Sequence, residues 1–102
     1  MPAWFYILEC SDGSYYSGST IEIGRRLMQH QEGKAANHTA RYGPVILVYY
    51  EVYFFAHDAF RREQQVKKWS RKKKESLISS NRSELKRLAL ARWKVVLQKK
   101  SG

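Results

Sequence analysis

The dipeptide Asp12-Gly13 separates two short runs of aromatic and β-branched residues near the start of the chain. Residues 3–9 precede it and residues 14–18 follow it, and both runs have a composition typical of β-strands. An Asp-Gly pair between two such runs is a strong signal for a tight hairpin, because glycine readily adopts the positive φ angles of the turn. The sequence therefore predicts that two antiparallel strands open the fold.

A third strand and several helices are predicted after the hairpin. Pro44 precedes residues 45–53, a run rich in valine and tyrosine that we expect to form the central strand. The spacing of apolar residues predicts helices over residues 20–33 and 56–69, and a basic helix follows over residues 71–78. The expected fold class is α/β in the α+β sense, with a three-stranded antiparallel sheet flanked by helices.

Three residues are placed to cap or to end these helices. Thr20 is expected to cap the first helix and Gly33 to end it, because a threonine hydroxyl accepts a free N–H of the first turn and glycine adopts the left-handed conformation after the last. Ser70 is expected to cap the basic helix. Residues 35–43 are polar and predict a loop or a short helical turn.

Residues 81–102 predict one more helix and a basic tail, which we place in the same domain as residues 1–80. Asn81 and Glu84 have the spacing of a capping box, in which each side chain bonds to the other residue's backbone. An apolar stripe follows at helical spacing and consists of Leu85, Leu88, Ala89, Trp93 and Val96. We expect this stripe to pack onto the domain, with a dimer contact or a docked partner protein as the alternatives.

Basic residues are concentrated in the second part of the chain. The formal net charge is +10, and residues 61–102 hold fifteen lysines and arginines against three acidic residues, whereas residues 1–60 hold four against six. Such a field favours a polyanionic partner, most simply a nucleic acid, but a solvated surface or a ribosome-associated or membrane-surface role produces the same excess. No apolar run approaches the roughly 20 residues that cross a bilayer, and the single cysteine, Cys10, fits a reducing, cytoplasmic location.

Two tyrosines, Tyr6 and Tyr16, lie ten residues apart on the predicted hairpin. Whether they share one face of the sheet depends on the turn as well as on this even offset. Arg26 and His30 lie one turn apart on the predicted first helix and therefore share a helix face. Glu63 is a carboxylate within a strongly basic stretch, where it can bind a divalent cation or balance the charge of its neighbours.

These residues resemble, in their order and spacing, the motifs of the GIY-YIG endonuclease superfamily, and in particular its small single-domain bacterial members. The resemblance covers roughly residues 3–78, although Trp4 stands where the first motif has glycine and Ser17 where the second has isoleucine. It implies a metal-dependent endonuclease that hydrolyses phosphodiester bonds in DNA, with RNA as the alternative substrate, and leaves a 5′-phosphate and a 3′-hydroxyl. DNA repair, recombination, defence and DNA uptake are all compatible with such an activity. The matching residues are Tyr6-Ile7, Tyr16-Ser17-Gly18, Arg26, His30 and Glu63.

Each of these residue types suits one part of phosphodiester hydrolysis. Glu63 would bind one Mg²⁺ or Mn²⁺ ion, and Arg26 would hold phosphate oxygens and stabilise the charge of the transition state. Tyr6 or Tyr16 would orient or deprotonate the attacking water, and His30 would share that task as a base that titrates near neutral pH. Taken singly, each residue has an ordinary alternative: packed tyrosines, a solvated arginine, a packed histidine and a glutamate paired with a lysine one helical turn later.

The basic stretch around and after Glu63 predicts the surface that holds the nucleic acid. Lysine and arginine side chains neutralise phosphates, so the affinity should fall steeply with salt. A different class of function keeps the same fold and basic face but only binds nucleic acid, without cleavage. The predicted nucleic-acid contacts are Ser19, Lys67, Lys68, Arg71, Lys72, Lys73 and Lys74.

Three further reactive side chains have ordinary explanations in the sequence. Cys10 closes a predicted buried strand, so we expect a core thiol rather than a nucleophile. His38 and His57 are expected to be ordinary loop residues. The chain contains no CxxC, HExxH or phosphate-loop motif, so none of these residues belongs to a recognisable metal or nucleotide signature.

Overall fold

The computed structural model describes residues 2–80, which contain three strands and four helices. Both strand pairs are antiparallel and helices pack against the sheet, so the predicted α+β fold class is confirmed. The helix predicted over residues 81–102 lies outside the described residues, and so does the dimer contact predicted through it. In chain order the elements are β1 (Ala3–Cys10), β2 (Tyr15–Thr20), α1 (Ile23–Gln31), α2 (Asn37–Tyr42), β3 (Val45–Tyr53), α3 (Ala56–Lys67) and α4 (Arg71–Ser79).

The central strand of the sheet is β1. The strand order is β2-β1-β3, so the expectation that β3 lies in the centre was wrong. Six of the eight residues of β1 are buried, whereas β3 exposes Ile46 and Val52. Composition does not distinguish the two strands, because each has a single charged residue, Glu9 in β1 and Glu51 in β3.

Alternation of the side chains along β1 gives the sheet two different faces. On what we call the Tyr6 face, Tyr6 packs in one cluster with Leu27 of α1. On the Phe5 face, Phe5 packs in a second cluster with Val66 of α3 and Ile78 of α4. The first helix therefore covers one face, and the third and fourth helices cover the other.

The predicted hairpin turn lies between β1 and β2. Gly13 has a φ of 85°, in the left-handed region that favours glycine. The Asp12 carboxylate accepts hydrogen bonds from the Ser14 backbone N–H at 3.0 Å and from the Ser14 hydroxyl at 2.6 Å. Local side-chain bonds of this kind stabilise the turn and hold the two strands in register.

Two of the three predicted helix-end residues have their expected roles. Gly33 follows α1 with a φ of 73°, and Ser70 caps α4 by accepting the Lys73 N–H at 3.2 Å. The prediction for Thr20 was wrong, because β2 continues as far as Thr20 and Glu22 is the residue that precedes α1. The Thr20 hydroxyl instead accepts the Glu22 N–H at 3.1 Å, where the strand turns into the helix.

Candidate active site

A buried hydrogen bond joins Tyr6 in β1 to His30 in α1. The Tyr6 hydroxyl lies 2.8 Å from His30 Nε2, and both side chains are almost fully buried. The buried stripe of α1 consists of His30 with Ile23 and Leu27, so the helix turns His30 towards the sheet. Packing of this stripe thus brings together two residues that lie 24 positions apart.

Thr39 in α2 fixes the position of the proton on this histidine. Its hydroxyl donates to the Ala36 carbonyl at 3.2 Å and lies 2.8 Å from His30 Nδ1. A hydroxyl has one hydrogen to donate, so Thr39 accepts from Nδ1–H, and Nε2 is left to accept from the Tyr6 hydroxyl. No spacing rule links a threonine of one helix to a histidine of another, so Thr39 could not be predicted from the sequence.

The buried surroundings keep His30 neutral. Burial, together with the nearby Arg26 guanidinium, lowers the pKa of His30 to about 4. The expectation that this histidine titrates near neutral pH was wrong for that reason. Burial and the neighbouring Tyr16 raise the pKa of Tyr6 well above that of a free phenol, and Arg26 only partly opposes them. At neutral pH the proton therefore stays on Tyr6, hydrogen-bonded to a histidine with a free lone pair.

Tyr16 lies on the same face of the sheet as Tyr6. In the hairpin register Tyr6 pairs with Gly18. Leu8, two residues further along the same face of β1, pairs with Tyr16, so the two tyrosines are diagonal neighbours. The ring centroids of Tyr16 and His30 are 5.0 Å apart. Tyr6 and Tyr16, ten residues apart in the sequence, thus both place their rings beside His30.

Gly18 makes room for the Tyr6 side chain to cross β2. A Cβ atom at this position would collide with the hydroxyl group and the ring of Tyr6. A larger residue would therefore push the Tyr6 hydroxyl away from His30. This close approach is the physical reason for a glycine two residues after the second tyrosine.

Arg26 lies one helical turn before His30 and is half-buried. Its charge lowers the pKa of His30 and opposes the rise in the pKa of Tyr6, which places the guanidinium beside that pair. Among the side chains that the structure describes, none forms a hydrogen bond or an ion pair with the Arg26 guanidinium, whereas the exposed Arg25 pairs with Glu22 at 3.7 Å. Arg26 is therefore available to bind an anion next to the Tyr6 hydroxyl.

Glu63 approaches β2 from the Phe5 face. It lies on the buried side of α3 and is 8% exposed. The Ser19 hydroxyl donates to one carboxylate oxygen at 2.6 Å, and the Lys67 ammonium donates to the other at 3.0 Å. The negative charge of Glu63 also raises the pKa of Tyr6, although less than burial and the neighbouring Tyr16 do. Glu63 and Tyr6 are therefore electrostatically coupled. The site therefore spans both faces of the edge strand β2.

Two of the predicted nucleic-acid contacts, Ser19 and Lys67, bind Glu63 in the structure. Lys67 forms the helical i, i+4 pair that was the structural alternative for this glutamate. The Lys67 side chain is nevertheless 46% exposed, whereas that of Glu63 is largely covered. An exposed lysine exchanges partners readily. A contact of Ser19 or Lys67 with nucleic acid stays a prediction.

The surroundings of Glu63 fit one divalent cation of the Mg²⁺ or Mn²⁺ type. One carboxylate oxygen already binds a cationic group, the Lys67 ammonium, so this position accepts positive charge. Mg²⁺ is commonly held by one or two carboxylates and keeps several of its waters. Glu63 supplies such a carboxylate, electrostatically coupled to Tyr6, and it would hold the ion.

The remaining predicted nucleic-acid contacts lie where α3 ends and along α4. The Arg71 guanidinium lies 4.5 Å from the Tyr15 ring centroid and also donates to the Gly13 carbonyl at 2.7 Å. The Lys73 ammonium lies 4.3 Å from the ring centroid of Trp69, which packs against the Phe5 face. The basic residues at this end of the molecule are Lys68, Arg71, Lys72, Lys73 and Lys74.

Comparison with known proteins identifies the family of the chain. The family model of the GIY-YIG catalytic domain matches residues 2–76, and the chain therefore belongs to the GIY-YIG family. Its relatives include UPF0213 proteins. It is 42% identical over 81 residues to the UPF0213 protein of Bacillus pumilus, across 79% of this chain and 83% of the relative. It is 44% identical over 79 residues to UPF0213 protein BH0048 of Halalkalibacterium halodurans, across 78% and 84%.

Two solved structures share the fold. The solution NMR structure of the UPF0213 protein BH0048 from Bacillus halodurans matches with a TM-score of 0.54 and 42% identity, across 81% of this chain and 88% of that one. The solution NMR structure of the protein EF2693 from E. faecalis matches with a TM-score of 0.55 and 36% identity, across 78% and 85%. In the described part of the chain, no helix has the length and apolar character to cross a membrane.

Proposed function

We propose that this protein is a divalent-metal-dependent endonuclease that hydrolyses phosphodiester bonds in DNA. The observation that carries the proposal is the buried chain from Tyr6 through His30 to Thr39, with the Arg26 guanidinium beside it. This chain leaves a proton acceptor next to a tyrosine hydroxyl, and the guanidinium supplies a phosphate ligand. Membership of the GIY-YIG family supports the same reaction class.

The Tyr6 oxygen receives the proton of the attacking water. As the water oxygen bonds to phosphorus, its proton passes to Tyr6, and the hydroxyl proton of Tyr6 passes to His30 Nε2. Thr39 keeps the proton on Nδ1, so His30 becomes an imidazolium beside the negative charge that develops on the phosphate. Tyr6 therefore begins and ends the step as a neutral phenol, as its raised pKa requires.

Arg26 binds the non-bridging oxygens of the phosphate and stabilises the charge of the transition state. The bond from phosphorus to the 3′ oxygen breaks, and this oxygen takes a proton from solvent, which leaves a 5′-phosphate and a 3′-hydroxyl. Glu63 would hold one Mg²⁺ or Mn²⁺ ion, which supplies Lewis-acid stabilisation of the phosphate when it is bound. Lys67, released from Glu63, would then contact the DNA backbone together with the basic residues of α4.

The test is a cleavage assay on labelled single-stranded, duplex and branched DNA and on RNA, with Mg²⁺, Mn²⁺ or EDTA. Neighbouring arginines provide a matched pair of variants, Arg26→Ala and Arg25→Ala, which remove the same charge from the same helix. We expect cleavage of DNA that EDTA abolishes. We also expect Arg26→Ala to lower the rate about 100-fold or more and Arg25→Ala to change it little, since only Arg26 lies beside Tyr6.

Two results would contradict the proposal. Binding of DNA without cleavage under every metal condition would favour the nucleic-acid-binding module that shares this fold and basic face. Equal rates for the two arginine variants would show that the charge beside Tyr6 takes no part in the reaction. Preferential cleavage of RNA would correct the substrate and leave the chemistry in place.

A further inference from the structure

Three side chains that commonly bind metals converge where the β1–β2 hairpin meets α2. Cys10 ends β1, Asp12 lies in the hairpin turn, and His38 is the second residue of α2. One ligand atom from each residue, a sulfur, a carboxylate oxygen and a ring nitrogen, lies within 4.8 Å of the other two. His38 and His57 were expected to be loop residues, which was wrong, because His38 lies in α2 and His57 in α3. The His38 ring lies against Ser14, 24 positions earlier.

The Ser14 hydroxyl lies at the centre of this cluster. It donates to Asp12 Oδ1 at 2.6 Å and lies 2.7 Å from His38 Nε2. Burial raises the pKa of the Cys10 thiol, and a hydrogen bond with Ser14 partly offsets that rise. The side chains of Cys10, Asp12 and His38 thus all contact the Ser14 hydroxyl. Three potential ligands that meet at one point in this way are close enough to share a metal ion.

We propose that Cys10, Asp12 and His38 bind one Zn²⁺ ion between them, in place of the Ser14 hydroxyl, which rotates away from the site. Zinc takes thiolate, imidazole and carboxylate ligands in a tetrahedron whose ligand atoms lie roughly 3.3–3.8 Å apart. The three ligand atoms lie within 4.8 Å of one another, and zinc binding would draw them closer by rotation of the exposed Asp12 and the half-buried His38. The thiol proton leaves to solvent as the bond from sulfur to zinc forms, and a water molecule takes the fourth position.

This site selects a different ion from the one expected at Glu63. Sulfur and nitrogen ligands favour zinc over magnesium, whereas a single carboxylate favours magnesium or manganese. The thiolate and the carboxylate together also balance the two positive charges of the zinc ion. The role we assign to the ion is structural, because its ligands would join the β1–β2 hairpin to α2.

A zinc ion here would brace the helix that orients His30. Ser11 already joins the hairpin to the end of α2, because its hydroxyl donates to the Tyr42 carbonyl at 2.7 Å. Zinc would add a second link at the start of the same helix, through His38. Thr39 follows His38 directly and holds His30 Nδ1. Zinc binding is therefore expected to raise the thermal stability of the protein, since a ligand that binds only the folded state stabilises it.

The experiment is a titration of chelator-treated full-length protein with Co²⁺, followed by displacement with Zn²⁺. Tetrahedral cobalt bound to a thiolate gives a near-ultraviolet charge-transfer band as well as visible bands. We expect both in the wild-type chain, saturating at one cobalt per chain and lost on addition of zinc. Asp12→Asn and His38→Gln should each weaken zinc binding more than about tenfold, because even changes behind the ligands cost about 10–100-fold.

Matched variants separate this site from adventitious binding. His57→Gln removes an exposed histidine that pairs with Asp58 and should leave the zinc affinity unchanged. Cys10→Ala should remove the charge-transfer band, and if it does not fold, the Asp12 and His38 variants decide the question, because Asp12 is exposed and His38 is only half-buried. Absence of the band in the wild-type chain, or equal zinc affinities for wild type, Asp12→Asn and His38→Gln, would overturn the proposal.

Discussion

Glu51 in β3 and Glu63 in α3 are both largely covered carboxylates, and they differ in what binds them. Glu51 accepts hydrogen bonds from the Tyr49 and Tyr53 hydroxyls, each at 2.6 Å, and from two nitrogens of Arg62 at 3.0 and 3.1 Å. Burial acts to raise the pKa of Glu51, but these four bonds outweigh it and lower the pKa. Both oxygens are saturated by donors of the surrounding fold, so Glu51 is a structural carboxylate.

Glu63 has partners that are easier to replace. Ser19 fixes one oxygen, while the other accepts a long hydrogen bond from the Gln64 amide at 3.4 Å and binds Lys67, whose side chain is nearly half exposed. An ion pair with so exposed a partner contributes less than about 1 kcal/mol, so a metal ion displaces it at little cost. The hydrogen-bond donors around a carboxylate, rather than its burial, therefore decide whether it can bind a cation.

A large loss of activity is expected in only one of the two tyrosine networks. Tyr6→Phe removes the hydroxyl that passes the proton to His30, and we expect the single-turnover cleavage rate to fall about 10²–10³-fold with little change in DNA affinity. Tyr53→Phe removes a hydroxyl from the Glu51 network and should leave the rate unchanged. A Tyr6→Phe rate equal to that of wild type would contradict a catalytic role for the Tyr6 network as opposed to the structural role of the Glu51 network.

The pH dependence of the free energy of unfolding tests whether the fold keeps His30 neutral. Its pKa is about 4 in the folded state and 6.5 ordinarily, so the unfolded chain binds a proton that the folded chain does not between these values. Stability should therefore fall as the pH drops from about 6.5 to 4, by roughly 3 kcal/mol from this residue. Urea unfolding across this range measures the slope.

Glutamine at this position provides the control for that slope. His30→Gln keeps hydrogen-bonding capacity but does not titrate, so its stability should vary less between pH 6.5 and 4 than that of the wild type. Identical slopes for the two proteins would show that His30 is not held neutral by its surroundings.

A smaller effect is expected from the structural carboxylate. Glu51→Gln leaves Arg62 without its charged partner, and we expect the free energy of unfolding to fall by roughly 2 kcal/mol, since the pair is only partly shielded from solvent. Chemical denaturation of the variant measures this loss. An unchanged stability would mean that the network of four donors contributes nothing, and the contrast with Glu63 would lose its basis.

The smallest effect concerns the basic helix α4. Lys72→Ala together with Lys73→Ala should weaken DNA binding modestly and lower its salt dependence by roughly one to two phosphate contacts. Binding isotherms at several salt concentrations measure the slope. A slope equal to that of wild type would remove these two lysines from the contact surface.

Local patterns in the sequence were sufficient to predict the hairpin and the first helix. Asp12-Gly13 predicted the turn, and the spacing of apolar residues predicted a helix over residues 20–33, within which α1 lies. These features depend on residues that are close in the chain. The ten-residue offset of the tyrosines predicted their proximity only in part, because the register also had to be known.

Features that depend on distant pairings were missed. No local pattern shows that β1 rather than β3 takes the central place, since both runs are apolar and β-branched. The bond from Thr39 to His30 and that from Ser19 to Glu63 join residues 9 and 44 positions apart. Such contacts follow from the tertiary packing of whole elements. A threonine or serine hydroxyl has too many possible partners for its hydrogen bond to be predicted from sequence.

The most direct test of the account compares Glu63→Gln with Glu51→Gln in single-turnover cleavage of labelled DNA, at saturating protein and with Mg²⁺ or Mn²⁺. Both variants replace one carboxylate with an amide of the same shape. We expect the cleavage rate of Glu63→Gln to fall about 1,000-fold or more, because this variant loses the metal ligand. We expect folded Glu51→Gln to cleave at a rate close to that of wild type. Equal rates for the two variants, or a larger loss in Glu51→Gln, would contradict the assignment of Glu63 as the carboxylate of the active site.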